Sequence, residues 1–245
     1  MSGLLVNDRD IVFPGQVLAE SIEYLPGDDV IREKEQLIST KIGIVSINGR
    51  FVKLVPLSGP YIPKRDDIII GKVVGIGLNG WRLDIGWAFE ANLNLKDATS
   101  DFIEKGADLS KYFDYGDYLM AGISNVISTR IIDLTMKAPG LKKLGEGQII
   151  KVGSTKVPRI IGKQGSMITM IKESTGCRIS VGQNGVVWIN GDSPEKENLA
   201  IRAIRKIELE SHITGLTDRM KEFLEQEKKW TKFTIKDLME ENLTR

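Results

Sequence analysis

Gly162 and Gly165 frame Lys163 and Gln164 between two short apolar segments of helical period, Val157 to Ile161 and Ser166 to Ile171. A loop of this kind lets a sugar-phosphate backbone of single-stranded nucleic acid lie close to a helix-turn-helix, because a side chain at either glycine would hold the strand away. The chemistry is therefore non-covalent contact. Its candidate residues are Arg159, Gly162, Lys163, Gln164, Gly165 and Ser166. The spacing alone says little in a chain with 25 glycines among 245 residues, so the flanking elements carry the weight.

Covalent chemistry finds no comparable set. The single histidine, His212, lies far in sequence from the single cysteine, Cys177, and no metal-spaced histidine pair occurs. Asp66 and Asp67 are adjacent, and neighbours on a strand face opposite ways, which disfavours a two-metal nuclease site. The expectation is no catalytic residue, no metal and no cofactor. One cysteine excludes an intramolecular disulfide and any zinc ribbon of paired C-x-x-C.

The loop needs elements to position it. Upstream, Gly147 to Val152 reads as a strand, and Pro158 suits the first turn of a helix, where its missing N–H is not needed. Downstream, Ser166 is a candidate cap for a second helix with Met167, Met170 and Ile171 at helical spacing, and Gly176 ends it. Cys177 to Val181 and Val186 to Ile189 are β-rich runs joined through Asn184-Gly185, a strong hairpin signal. Ser193, with Pro194 behind it and Glu195 and Glu197 in the first turn, starts a third helix. Strand, helix, G-x-x-G, helix, strand, strand, helix is the order of a type I KH domain, here over residues 146–214.

Composition bounds the remainder. Hydrophobic residues make up 41% and charged residues 27%, a globular balance, and the formal net charge is +1. Only residues 146–214 are basic, with 10 basic and 7 acidic side chains. A tight, free-standing nucleic-acid binder shows a larger basic excess, so the balance predicts weak binding strengthened by multivalency in an assembly. No apolar run of membrane-spanning length occurs, and the N-terminus lacks a basic segment followed by an apolar stretch and cleavage site, which predicts a cytoplasmic, unprocessed protein with no membrane partner.

Residues 61–145 predict a five-stranded OB-type barrel, with strands at 67–76, 81–85, 88–95, 118–126 and 131–136 and a long connection between the third and fourth. Trp81, Leu83 and Ile85 alternate with Arg82 and Asp84, so Trp81 is expected in the core, while Trp87 reads equally as core or as a stacking surface. Lys64, Arg65, Lys72, Arg82 and Arg130 are the barrel's candidate phosphate contacts. Residues 1–60 form a smaller all-β unit of short strands between turn signals, acidic in balance, expected to dock on a partner. The tail, 215–245, is helical by pattern, with Met220, Phe223 and Leu224 on one stripe.

Several tracts together resemble one family. Phe13-Pro-Gly-Gln-Val-Leu18, Gly71-Lys-Val-Val74 with Trp81-Arg-Leu-Asp-Ile85, Leu134 to Leu144, Val157 to Ile171 and Val181-Gly-Gln-Asn-Gly185 are similar to the KH-bearing RNA-binding cap subunit of the archaeal exosome. The resemblance spans roughly residues 10–210. It implies a non-catalytic subunit, three copies on a six-membered ring of phosphorolytic 3'-5' exoribonuclease subunits, N-terminal domains clamping the ring and barrels around its pore. It further implies recruitment and threading of single-stranded, adenine-rich RNA. Gly182 to Gly185 resembles the family's G-x-N-G element, which implies packing against the barrel. The same modules also suit a free-standing regulator of transcription or translation.

Overall fold

In a computed structural model, residues 3–99, 104, 107–127, 131–211, 213 and 215–227 are described. The chain divides into two compact units, Met1–Pro60 and Tyr61–Arg245.

The first unit is all β. Its strands are β1 (Ile11–Val12), β2 (Val17–Glu20), β3 (Leu25–Pro26), β4 (Val30–Glu33), β5 (Gln36–Ser39), β6 (Gly43–Asn48) and β7 (Phe51–Pro56). They form one sheet in the order β1-β6-β7-β3 and another in the order β2-β5-β4. Val12, Leu18, Leu37, Val45, Val52 and Leu54 fill the core. Along β7 the alternation is strict: Val52 and Leu54 are buried while Phe51, Lys53 and Val55 face outward.

The second unit opens with the barrel. It comprises β8 (Ile68–Ile76), β9 (Gly80–Asp84), β10 (Ala91–Asn94), the short helix α1 (Leu95–Ala98), β11 (Tyr118–Val126) and β12 (Ile132–Thr135), with β13 (Lys142–Leu144) added on the outer side of β11. Closure comes from β12, which pairs in parallel with β10 and antiparallel with β11. Trp81 is buried in the core, its indole N–H donating to the Phe113 carbonyl at 2.9 Å and its ring meeting Phe113 edge-on. The third strand starts later than the expected residue 88. Gly86 turns the chain at φ 75 and donates its N–H to the Asp84 carboxylate, so residues 86–90 cross over before pairing begins.

The KH portion follows directly: β14 (Gln148–Lys151), α2 (Val157–Ile161), α3 (Ser166–Thr175), β15 (Arg178–Val181), β16 (Val186–Asn190) and α4 (Pro194–Glu210), with a further helix, α5, over 216–227. The antiparallel sheet runs β14-β16-β15. Pro158 occupies the first turn of α2, Gly176 closes α3 in the left-handed region, and Ser193 caps α4 by accepting from Lys196 N–H. Ser166 departs from expectation. Gly165, left-handed at φ 79, takes the N-cap position, so Ser166 is the first helical residue and its side chain makes no cap.

One face of the KH sheet meets α2, α3 and α4 through Ile179, Val187 and Ile189. The opposite face meets the barrel: Val186 and Trp188 pack with Ile70 and Leu144, and Ile149, Tyr118 and Met120 border them. The continuous apolar run Val186 to Ile189 thus reflects burial on both sides of β16. Each large side chain covered contributes roughly 1.5–3 kcal/mol, and barrel and KH sheet lie within one compact unit.

Their join is also polar. The Asn184 amide accepts from Ile70 N–H at 3.2 Å and donates to the Ile70 and Ile85 carbonyls at 2.8 and 2.9 Å. Gln183 pairs with Ile68 in the same way, its N–H donating to the Ile68 carbonyl and its side-chain oxygen accepting from Ile68 N–H. The β15–β16 hairpin is stitched to the barrel as a strand would be. Met220 and Leu224 of α5 complete the KH core, and Arg202–Glu227 with Arg219–Glu210 hold α5 against α4. Tail residues 228–245 lie outside the described residues.

Candidate nucleic-acid interface

The loop between α2 and α3 is built by backbone geometry. Gly162 ends α2 by donating its N–H to the Pro158 carbonyl and sits at φ 75, ψ 174, a region essentially reserved for glycine. Gln164 (φ 54) and Gly165 (φ 79) follow, also left-handed. A Cβ on Gly162 would lie 2.7 Å from Met167 Cβ and 2.8 Å from Met167 N, whereas at Gly165 it would meet open space. Gly162 therefore serves the close packing of the turn. Gly165 keeps the outer surface bare.

That surface is suited to anions. Lys163 and Gln164 are exposed on the loop and Arg159 on α2. Neither α2 nor the first turn of α3 carries an acidic residue, so the positive end of the α3 dipole is uncompensated. Among the described residues Arg159, Lys163 and Lys172 take part in no ion pair. Backbone N–H groups at a helix start beside cations without ion-pair partners are able to receive a phosphate.

The barrel candidates are placed apart. Lys64 and Arg65 are exposed in the turn that leads into β8, where the Asp67 carboxylate accepts from Lys64 N–H and the Tyr61 hydroxyl. That engagement leaves Asp67 a structural role. Arg82 lies toward the other end of β8, stacked over Gly75, where an added Cβ would meet its Nε at 2.6 Å. It pairs with Glu90 at 3.2 Å, but both side chains are largely exposed, and such pairs contribute little and open readily. Lys64 and Arg65 on one side and Arg82 on the other are separated by roughly 20 Å along β8. Arg130, with Ser128 and Thr129, falls outside the described residues.

Lys72 has different neighbours. It faces Asp84 across the ladder and lines a cleft of about 210 Å³ between barrel and KH sheet with Tyr118 and Lys151. In the sequence Lys151 is only a strand residue, and nothing there joins it to Lys72, which is distant along the chain. Trp87 is half-buried against the barrel core, its ring 5.3 Å from that of the exposed Phe89. It belongs mainly to the core.

Among the described residues no group of three or more His, Cys, Asp and Glu side chains could hold a metal ion. Cys177 is buried. His212 lies outside the described residues. No helix among them is long and apolar enough to cross a membrane.

The first unit exposes several large apolar side chains on one sheet face. On the outer side of its β1-β6-β7-β3 sheet, Ile11 opposes Ile44, Ile44 opposes Val55, and Leu25 opposes Phe51. Ile11, Phe51 and Val55 are each more than half exposed. The Ser46–Lys53 pair lies between Ile44–Val55 and Phe51, so the face carries two small apolar patches on either side of a polar row, and exposed apolar patches are candidates for interaction surfaces.

Comparison with known proteins fits these observations. The KH domain family matches residues 147–206. The exosome complex component Rrp4 of Pyrococcus furiosus is 45% identical over 227 residues, covering 91% of this chain and 86% of that one. The protein of the same name from Methanothermobacter thermautotrophicus is 42% identical over 223 residues, covering 91% of this chain and 70% of that one. A crystal structure of an exosome complex RNA-binding protein superposes with a TM-score of 0.63 at 31% identity, covering 71% of this chain and 99% of that one.

Proposed function

This chain belongs to the Rrp4 family of exosome complex components, and we propose that it acts there as a non-catalytic RNA-binding cap that delivers single-stranded RNA to phosphorolytic subunits. Family membership favours this over a free-standing regulator built from the same modules. The observation that carries the RNA-binding half is the loop from Gly162 to Gly165: a left-handed turn with Lys163 exposed, Arg159 exposed on the preceding helix and no acidic residue in the first turn of α3. Lys72, Lys64, Arg65 and Arg82 extend the contact over the barrel. Their scatter suits a strand that passes along a surface.

The docking half rests on the exposed apolar side chains Ile11, Phe51 and Val55 on the outer sheet face of the N-terminal unit. We assign that face to a six-membered ring of phosphorolytic subunits in the cytoplasm, with three copies of this chain per ring. Near-neutral net charge makes each copy a weak binder, and three copies around one pore raise the effective concentration of RNA by multivalency. Adenine-rich tails are the expected substrate.

Reconstitution tests the whole. Mixing the purified chain with a phosphorolytic ring should increase the rate at which a tailed RNA is shortened from its 3' end, while the chain alone degrades nothing. Ring activity unchanged by the addition would contradict the proposal, as would degradation by the chain alone.

A further inference from the structure

We propose a second RNA phosphate site, on the reverse face of the KH sheet, in a cleft of about 380 Å³ between β13 and the β15 end of the sheet. It rests on the RNA-binding reading above but uses none of that reading's residues. Lys142 and Lys143 come from β13, Arg178 from β15, and Trp188 and Asn190 from β16. The placement follows from strand alternation. Ile179 and Ile189 point to the helices, so Arg178 and Asn190, paired across the ladder, point the other way, as Trp188 does.

The cations here are prepared for an anion. Arg178 donates from Nε and Nη2 to the Asn190 side-chain oxygen at 3.1 and 2.7 Å. That partner is neutral, so the guanidinium is oriented without being neutralised, and three of its five N–H donors stay available for a phosphate fork. Asn190 is fixed in turn by donating to the Glu146 carbonyl at 3.0 Å, and the Trp188 indole donates to the Gly145 carbonyl at 3.1 Å. The segment from β13 to β14 is thus tied to the sheet, which holds Lys142 opposite Arg178. Neither Lys142 nor Arg178 has an ion-pair partner among the described residues. Lys143 is already paired with Asp117, and Glu146 is the one acid in the lining, leaving the cleft positive.

Its position gives the site a role. The loop at 162–165 lies on the helix side of the sheet and this cleft on the other, and β15, the strand between them, has an open edge. The two are separated by at least the length of α3, roughly 15 Å, with the sheet between them. A strand held at the loop reaches the cleft by rounding β15, so the KH portion grips a longer RNA than the roughly four nucleotides such a module clamps.

The test is the affinity of the full chain for a single-stranded 12-nucleotide RNA across a salt series, with thermal denaturation confirming the fold. Lys142→Gln/Arg178→Gln should weaken binding several-fold and flatten the slope of log affinity against log salt by about 0.7 for each phosphate no longer neutralised. Should Arg178→Gln disturb the sheet, Lys142→Gln alone, at an exposed position, must still produce part of the loss. Affinity and slope equal to those of the unaltered chain overturn this site. If Lys163→Asp/Gln164→Asp abolishes binding in that same case, the loop reading survives; if the unaltered chain binds no RNA, both fall. The Trp188 indole N–H signal distinguishes sources of phosphate: it should shift with the RNA, and an equal shift with inorganic phosphate alone would make this a free-phosphate site and overturn the RNA assignment.

Discussion

Replacing Asn184 by alanine tests how barrel and KH domain are held as one body. The side chain is buried, accepts once from Ile70 N–H and donates to two carbonyls, those of Ile70 and Ile85. Each such bond contributes about 1 kcal/mol net, and a buried group left without a partner costs about 1–3 kcal/mol. The three groups on the barrel side cannot all reach water, because Val186 and Trp188 cover the same seam. We therefore expect a loss of about 3 kcal/mol. For a unit of this size, at about 2–4 °C per kcal/mol, Tm falls by about 6–12 °C. Urea denaturation followed by tryptophan fluorescence reads both domains through Trp81 and Trp188. The expected result is a single transition moved to lower urea. A loss below about 1 kcal/mol would show that the amide is dispensable and refute the reasoning.

Two further outcomes follow from the geometry. Gly162→Ala should cost about 3 kcal/mol, from a backbone region closed to side chains and a contact with Met167, while Gly165→Ala, facing open space, should cost about 1 kcal/mol; equal losses in urea denaturation would refute the division of labour between the glycines. Burial, and then the hydrogen bond to Asp67, push the Tyr61 hydroxyl well above the ordinary tyrosine range. Because the folded value is the higher one, this stabilisation is complete below about pH 10 and is lost as pH rises further, since the unfolded chain ionises first. Tm measured from pH 8 to 11 should fall more steeply for the unaltered chain than for Tyr61→Phe, and parallel curves would contradict the assignment.

What could be read from the chain was local. Pro158, Gly176 and Ser193 mark helix boundaries through chemistry that acts within a turn, and the structure places each at a helix end. Val186 to Ile189 reads as a strand, yet nothing nearby says that its second face meets Ile70, because that contact joins segments more than a hundred residues apart. Asn184-Gly185 signals a hairpin, while the partners of the Asn184 amide, Ile70 and Ile85, are equally remote. Ser166 failed as a cap because Gly165 could adopt the left-handed conformation that moves the helix start by one residue. Arg82 was legible as outward-facing from alternation; its pairing with Glu90 depended on the turn at Gly86. The reverse-face cleft was invisible for a similar reason, since Lys142 and Arg178 converge only through the pairing of β13 with the barrel and of β15 with β16.

The most direct measurement is the affinity of the full chain for single-stranded RNA with the loop's charge reversed. Lys163 and Gln164 are exposed, and the left-handed backbone at Gln164 tolerates aspartate, so Lys163→Asp/Gln164→Asp changes charge while leaving the fold intact. The account predicts at least a tenfold weaker complex, about 1.4 kcal/mol, with Tm unchanged. Equal affinity at equal salt would contradict it and remove the loop from the path of the RNA.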